Sequence, residues 1–143
     1  MGVVCEIAIF VWLPRLYARF TLRTVLMASF ALAVARFLMI GWGAAYLPLL
    51  LLAQVLHAAT FGSFHAAAIG MVYRLFRGRH QARGQAIYGS LTNGIGGTAG
   101  ALASGYAWDK FGAEVTFTLA ALAALAGLAL VWWKVGPERN DVQ

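Results

Sequence analysis

A chain of 143 residues that is 62% hydrophobic and 11% charged, with a mean hydropathy of +0.74, stands far from the soluble average of roughly 25% charged and 45–50% apolar residues. The apolar residues fall in long blocks, so the expected class is an integral membrane protein: an all-α, polytopic transmembrane helix bundle. The formal charge of +6 does not point to nucleic acid, because the basic residues stand between the apolar blocks, as topology determinants do.

Taken in order, Val3 to Leu13 is apolar except for Glu6 and is stopped by Pro14-Arg15. As a helix that block covers about 18–20 Å, short of a ~30 Å hydrocarbon core. The run begins at the first residue, so residues 1–13 are expected to be the truncated end of a longer helix and the chain a fragment. Cys5 stands alone and is read as a small buried apolar residue. There is no zinc spacing, phosphate loop or G-x-S-x-G motif, and no signal peptide is expected, because the sequence opens inside an apolar run without a basic n-region or a small-residue cleavage site. No metal or cofactor is expected, and an intramembrane enzyme lacks its nucleophile or metal set.

A basic loop, Arg15 to Arg23, precedes a span over 24–40 that contains Arg36. Gly41 to Tyr46 reads as an uncharged turn with two interfacial aromatics. Pro48 then opens a span over 47–73, in the first turn, where its missing N–H costs nothing. A second basic loop, Arg74 to Arg83, leads to a span over 84–107. Trp108 to Glu114 reads as a tight turn, and the last span, 115–133, ends in Trp132-Trp133-Lys134. A polar tail, 135–143, follows. The expected count is one partial and four full spans.

Charge asymmetry orients this bundle. The two basic loops and the tail hold nine of the eleven Lys and Arg residues, the opposite side holds Lys110, and Arg36 is intramembrane. The positive-inside rule places the basic loops and the C-terminus in the cytoplasm, and in a bacterial-type cell the membrane is the inner one.

The span from Gly84 carries two small-residue ladders, Gly96-Gly100-Ser104 and Gly97-Ala101-Gly105. Together they make a smooth face for close helix packing, either plain packing or the sliding interface between two halves of a transporter. Asn93, just before them, is either a packing hydrogen bond or a substrate contact.

The polar residues of the 47–73 span are more telling. Gln54, His57, Phe61 and His65 recur at i, i+3, i+7 and i+11, which is one helix face. Imidazoles and an amide at membrane depth are expensive, and their default reading is a functional site on a bundle interior or wet cavity. Counted from the span ends, Glu6, Arg36 and His57 all lie near mid-membrane. Glu6 and Arg36 are the natural ion pair, with His57 as a titratable neighbour. A carboxylate, guanidinium and imidazole together can serve as a proton relay; the alternative is a static structural ion pair. Phe61 and Phe64 form either an aromatic substrate wall or core packing, and His65 either lines a cavity or bonds a backbone carbonyl.

Glu6, the Arg15–Arg23 loop, Arg36, the stretch Gln54-x-Leu56-His57-x-x-Thr60-Phe61-x-x-x-His65-x-Ala67-Ala68 and Gln85-Ala86-x-Tyr88 resemble the C-terminal half of a major facilitator superfamily transporter. The resemblance covers about residues 2–134 and lies in the branch of bacterial 3-phenylpropionic acid transporters, relatives of the lactose permease and the nucleoside proton symporters. It implies the C-terminal part of a twelve-helix fold, with a missing N-terminal half against which the glycine-faced helix packs. It also implies rocker-switch alternating access, with a small organic solute and a proton as partners. Glu6, Arg36 and His57 match the permease's sugar-contacting and proton-coupling Glu, Arg and His. The sequence departs from the permease at Thr60, which replaces its proton-carrying carboxylate, and at Gln54, which replaces a lysine. Gln54, His57, Thr60, Phe61, His65 and Asn93 are the candidate substrate-binding residues. His57, with Thr60 and Gln54 flanking it, is surrounded by hydrogen-bonding groups rather than charges and reads as a substrate contact, so Glu6 is the better candidate for the proton. An aromatic monocarboxylate is the favoured solute, with a nucleoside or small sugar as the runner-up. The competing reading is a non-transporting membrane module with a buried structural ion pair.

Overall fold

The computed structural model describes residues 19–136, which contain helices and turns and no β-strand. Residues 1–18, and with them the Glu6 position, lie outside the described residues, as do 137–143 of the tail.

Helix α1, Leu22–Gly43, starts at Thr21, whose side chain accepts from the Thr24 amide at 3.2 Å. That bond satisfies one of the four orphan donors of a helix start. The helix runs on through Gly41 and Gly43, so the chain reverses over Ala44–Tyr46 only, closed by Tyr46 N donating to Gly43 O at 2.9 Å. Helix α2, Leu47–Leu75, carries Pro48 in its first turn. Its 29 residues reach about 43 Å, more than the hydrocarbon core needs, so it must tilt or extend past it.

Gly78, at φ +61°, turns the chain in the left-handed region that glycine enters freely, ahead of the short 3₁₀ turn Gly78–His80. Helix α3, Gln81–Gly89, passes into a π-helical segment, Ser90–Gly96, and then into α4, Gly97–Lys134. Helix α4 is two rods, because Gly112 has φ +81° and ψ −178°, a combination essentially confined to glycine. In place of a seven-residue turn over 108–114, the backbone breaks at that one residue.

Helix α1 lies at the centre. It pairs antiparallel with α2: Phe30 meets Phe64 with ring centroids 5.2 Å apart, and Arg36 meets His57. The rod 113–134 runs antiparallel to α1 on another side. Phe37 meets Phe117 at 6.3 Å, and Arg23 Nη2 donates to Trp132 O at 3.1 Å. Val25, Leu26 and Ala67 form the buried cluster where α1 and α2 meet, with Val131 of α4 against it.

What is buried explains the class. Among the described residues, the buried apolar side chains apart from Val25 and Leu26 are alanines, joined by Ser29, Thr60, Ser63 and Thr116. Leu51, Leu52, Leu122 and Leu125 face outward. In water that arrangement would be an aggregation surface. In lipid the large residues meet hydrocarbon, and small ones let backbones approach. Among the described residues, three helical runs are long and apolar enough to cross a bilayer: Leu22–Gly43, Leu47–Leu75 and Gly78–Lys134, the last being the run broken at Gly112.

Gly41 shows how tight the contacts are: a Cβ there would sit 2.9 Å from Phe117 Cβ, which has no freedom to yield. Gly41→Leu in the full-length protein is expected to cost at least about 1–3 kcal/mol, the overpacking range. A thermal melt in detergent would register this as a clear drop in Tm. Gly89→Ala, where an added Cβ meets nothing within 4 Å, should leave Tm within the ordinary surface scatter of about 0.5 kcal/mol.

Candidate functional site

Arg36 on α1 and His57 on α2 meet with Nη1 and Nδ1 2.6 Å apart. A guanidinium only donates and stays charged, so Nδ1 accepts and the ring proton belongs on Nε2. The pair therefore defines a neutral His57. A protonated His57 would lose that acceptor and set a second cation beside Arg36. The Arg36 guanidinium also lies 4.5 Å from the centroid of the Phe37 ring, within cation–π range. Its Nε is buried without a hydrogen-bond partner among the described residues, so the group has unused donor capacity.

The pair opens on a cavity of about 570 Å³, and Phe30, Phe37, Phe61 and Phe64 contribute its aromatic lining. That volume is in the range of small-molecule sites. Ala103, Ser104 and Ala107 of α4 close one side, and Ala120, Ala123 and Ala124 beyond Gly112 another. Arg36 is the only charged residue on the described lining. The hydroxyls are largely committed: Thr60 donates to Leu56 O at 2.8 Å, Thr116 to Gly112 O at 2.8 Å and Ser104 to Ala101 O at 3.1 Å. They can accept from a ligand, but their protons are spent on their own helices.

The candidate residues divide. Arg36, His57, Thr60 and Phe61 line the cavity together, and Gly100 and Ser104 line it from α4. Phe61 stacks on His65 with centroids 6.1 Å apart and 5° between planes, which places His65 next to the lining rather than in it. Gln54 is exposed and off the lining, and Asn93 lies exposed within the π segment. The ladder residues Gly96, Gly97, Gly100, Ala101, Ser104 and Gly105 are all exposed, and at Gly100 and Gly105 an added Cβ meets nothing within 4 Å. No described helix packs against that face closely enough to need the glycines.

Sequence reasoning missed Ser29, Phe30, Ala33 and Phe37. They recur at i, i+1, i+4 and i+8, sharing the face of Arg36, so a helical wheel centred on the one intramembrane arginine would have found them.

The profile of the MFS_1 like family matches residues 1–119. The chain belongs to this family of the major facilitator transporters. It is 32% identical over 130 residues to the Escherichia coli (strain K12) protein described as "Probable 3-phenylpropionic acid transporter"; the alignment takes in 91% of this chain and 34% of that protein. The chain thus spans about a third of the length of that relative. No solved structure matches it.

Proposed function

We propose that the full-length protein is a secondary active transporter that carries an aromatic monocarboxylate such as phenylpropionate together with a proton. The observation that carries this reading is Arg36, the one charged residue on the described lining of a cavity rich in phenylalanine, with a buried Nε that donates to no described residue. A carboxylate pairs with a guanidinium through charge-assisted hydrogen bonds, and an aryl ring packs well among phenylalanines. A nucleoside or sugar would need more free donors than the cavity hydroxyls keep. The description of the Escherichia coli relative points to the same solute.

In this reading Arg36 holds the carboxylate and His57 orients Arg36 by accepting from it. Glu6 carries the proton in exchange with them. The uncovered glycine face meets the other half of the transporter, and the two halves rock to expose the cavity alternately. The basic loops and the C-terminus lie in the cytoplasm of a cell whose inner membrane holds the protein, since nine Lys and Arg residues sit on that side.

The test is uptake of labelled phenylpropionate by the full-length protein in proteoliposomes with an imposed inward proton gradient. Accumulation above the external level, abolished by a protonophore, is the expected result. A folded protein that accumulates no aromatic acid under that gradient would leave only a structural role for the Arg36–His57 contact.

A further inference from the structure

Beyond Phe61, on the side of the Arg74–Arg83 loop, lies a polar pair outside the Arg36 cavity. The Phe61 ring sits between two imidazoles of its own helix: His57 at 5.7 Å, and His65 at 6.1 Å with the planes 5° apart. His65 in turn meets the Tyr88 ring of α3 at 6.4 Å.

Tyr88 is held there by its own helix. One turn earlier, Gly84 lets Phe76 pack so closely that an added Cβ would lie 2.5 Å from the ring. Beside it, Gln85 Nε2 donates to Ile69 O of α2 at 3.4 Å. The imidazole and phenol therefore belong to the packed part of this span, whereas every residue from Ser90 to Tyr106 is exposed. Phe61 itself is 56% exposed, and His65 and Tyr88 are half-buried, so this row of rings is open to a ligand along its length.

The row has distinct ends. Arg36 and His57 mark one, and His65 and Tyr88 the other, two helical turns or about 11 Å further along α2. Imidazole and phenol can each donate and accept, so together they suit a hydroxyl, which does both. Building on the transporter reading above, we propose that the solute is an aryl carboxylate with a hydrogen-bonding substituent, such as a phenolic hydroxyl, at the far end of its ring. Its carboxylate binds Arg36, its ring lies against Phe61, and its hydroxyl bonds between His65 and Tyr88. A phenyl ring with a two- or three-carbon acid arm and a para hydroxyl has the length this row requires. Tyr88 and His65 are then the residues that set specificity.

The experiment compares KM for 3-phenylpropionate and 3-(4-hydroxyphenyl)propionate in the full-length protein reconstituted in proteoliposomes. The unaltered protein should favour the hydroxylated acid by about tenfold, the scale of one or two neutral hydrogen bonds. Tyr88→Phe and His65→Ala, each checked for folding by size-exclusion profile, should bring that ratio close to one. In both variants the loss should fall chiefly on the hydroxylated compound. Equal or weaker handling of the hydroxylated acid by the unaltered protein overturns the assignment, as does a ratio that neither variant changes. Failure to take up either acid overturns the transporter reading itself, and is recognised by the missing phenylpropionate signal.

Discussion

Arg36→Gln in the full-length protein is expected to lower kcat/KM for aromatic-acid uptake by about 10²-fold or more, with the protein still folded and inserted. A hundredfold corresponds to about 2.7 kcal/mol. That matches the top of the range for a hydrogen bond to a charged group, before adding the cost of leaving a carboxylate among phenylalanines without a counter-ion. Glutamine keeps a donor but ends two bonds short of the Nη1 position, so the contact with His57 weakens along with the loss of charge. Arg36→Lys should recover part of the activity: the charge survives, while the planar fork that can serve His57 and a carboxylate at once does not. Uptake of labelled phenylpropionate measures both. An Arg36→Gln protein with KM and kcat near those of the parent would remove Arg36 from the solute's path.

The partner experiment is at His57. Because Arg36 has no acceptor to offer, the 2.6 Å contact works only while Nδ1 accepts. His57→Lys should therefore match the damage of Arg36→Gln, about 10²-fold, because it sets two cations side by side in a low-dielectric cavity. His57→Gln keeps an acceptor and should stay within about tenfold of the parent, the scale set by one hydrogen bond of altered geometry. Equal activity of the Lys and Gln proteins would show that the Arg36–His57 contact has no bearing on transport. The same uptake assay distinguishes these outcomes.

The bundle was legible in the sequence for a simple reason: lipid demands long apolar runs, and basic loops mark their ends. Arg36 and His57 were legible because an ionisable side chain at membrane depth stands out against leucine and alanine. The exact phase of α2 was harder. The polar stripe Gln54–His57–Phe61–His65 suggested one inward face, but the packed line runs through Ala53, Ala58, Thr60, Ser63 and Ala67. One residue along an α-helix turns the side chain by about 100°, so Gln54 falls outside while its neighbour Ala53 is 1% exposed. In a membrane, small residues mark the packed side, and polar residues mark the wet edge beside it. His57, Phe61 and His65 occupy that edge, which is why the stripe found the cavity yet missed the contact line.

The glycine ladders show a different limit. Their spacing states what could approach the face, and the described residues leave it uncovered. Composition fixes the smoothness of such a surface and is silent on its occupant. The aromatic residues of α1 were missed for the opposite reason, since phenylalanine in an apolar span is indistinguishable by type from lipid-facing residues. Position relative to Arg36 was the usable signal.

The π segment Ser90–Gly96 has a consequence for chain length. Its bonds close on the fifth residue rather than the fourth, so it stores one residue more than plain α-helix would in the same rise. Deleting one residue between Ser90 and Gly96 lets the segment relax to α-helix, with Tyr88 still beside His65 and Ala103 and Ala107 still at the cavity. The same deletion at Ala103 would turn everything downstream by about 100° and carry Ala107 off the cavity wall. Within this span, the tolerated place for length variation is therefore a stretch of seven residues in the middle of the membrane, an inversion of the usual rule that insertions and deletions belong to loops.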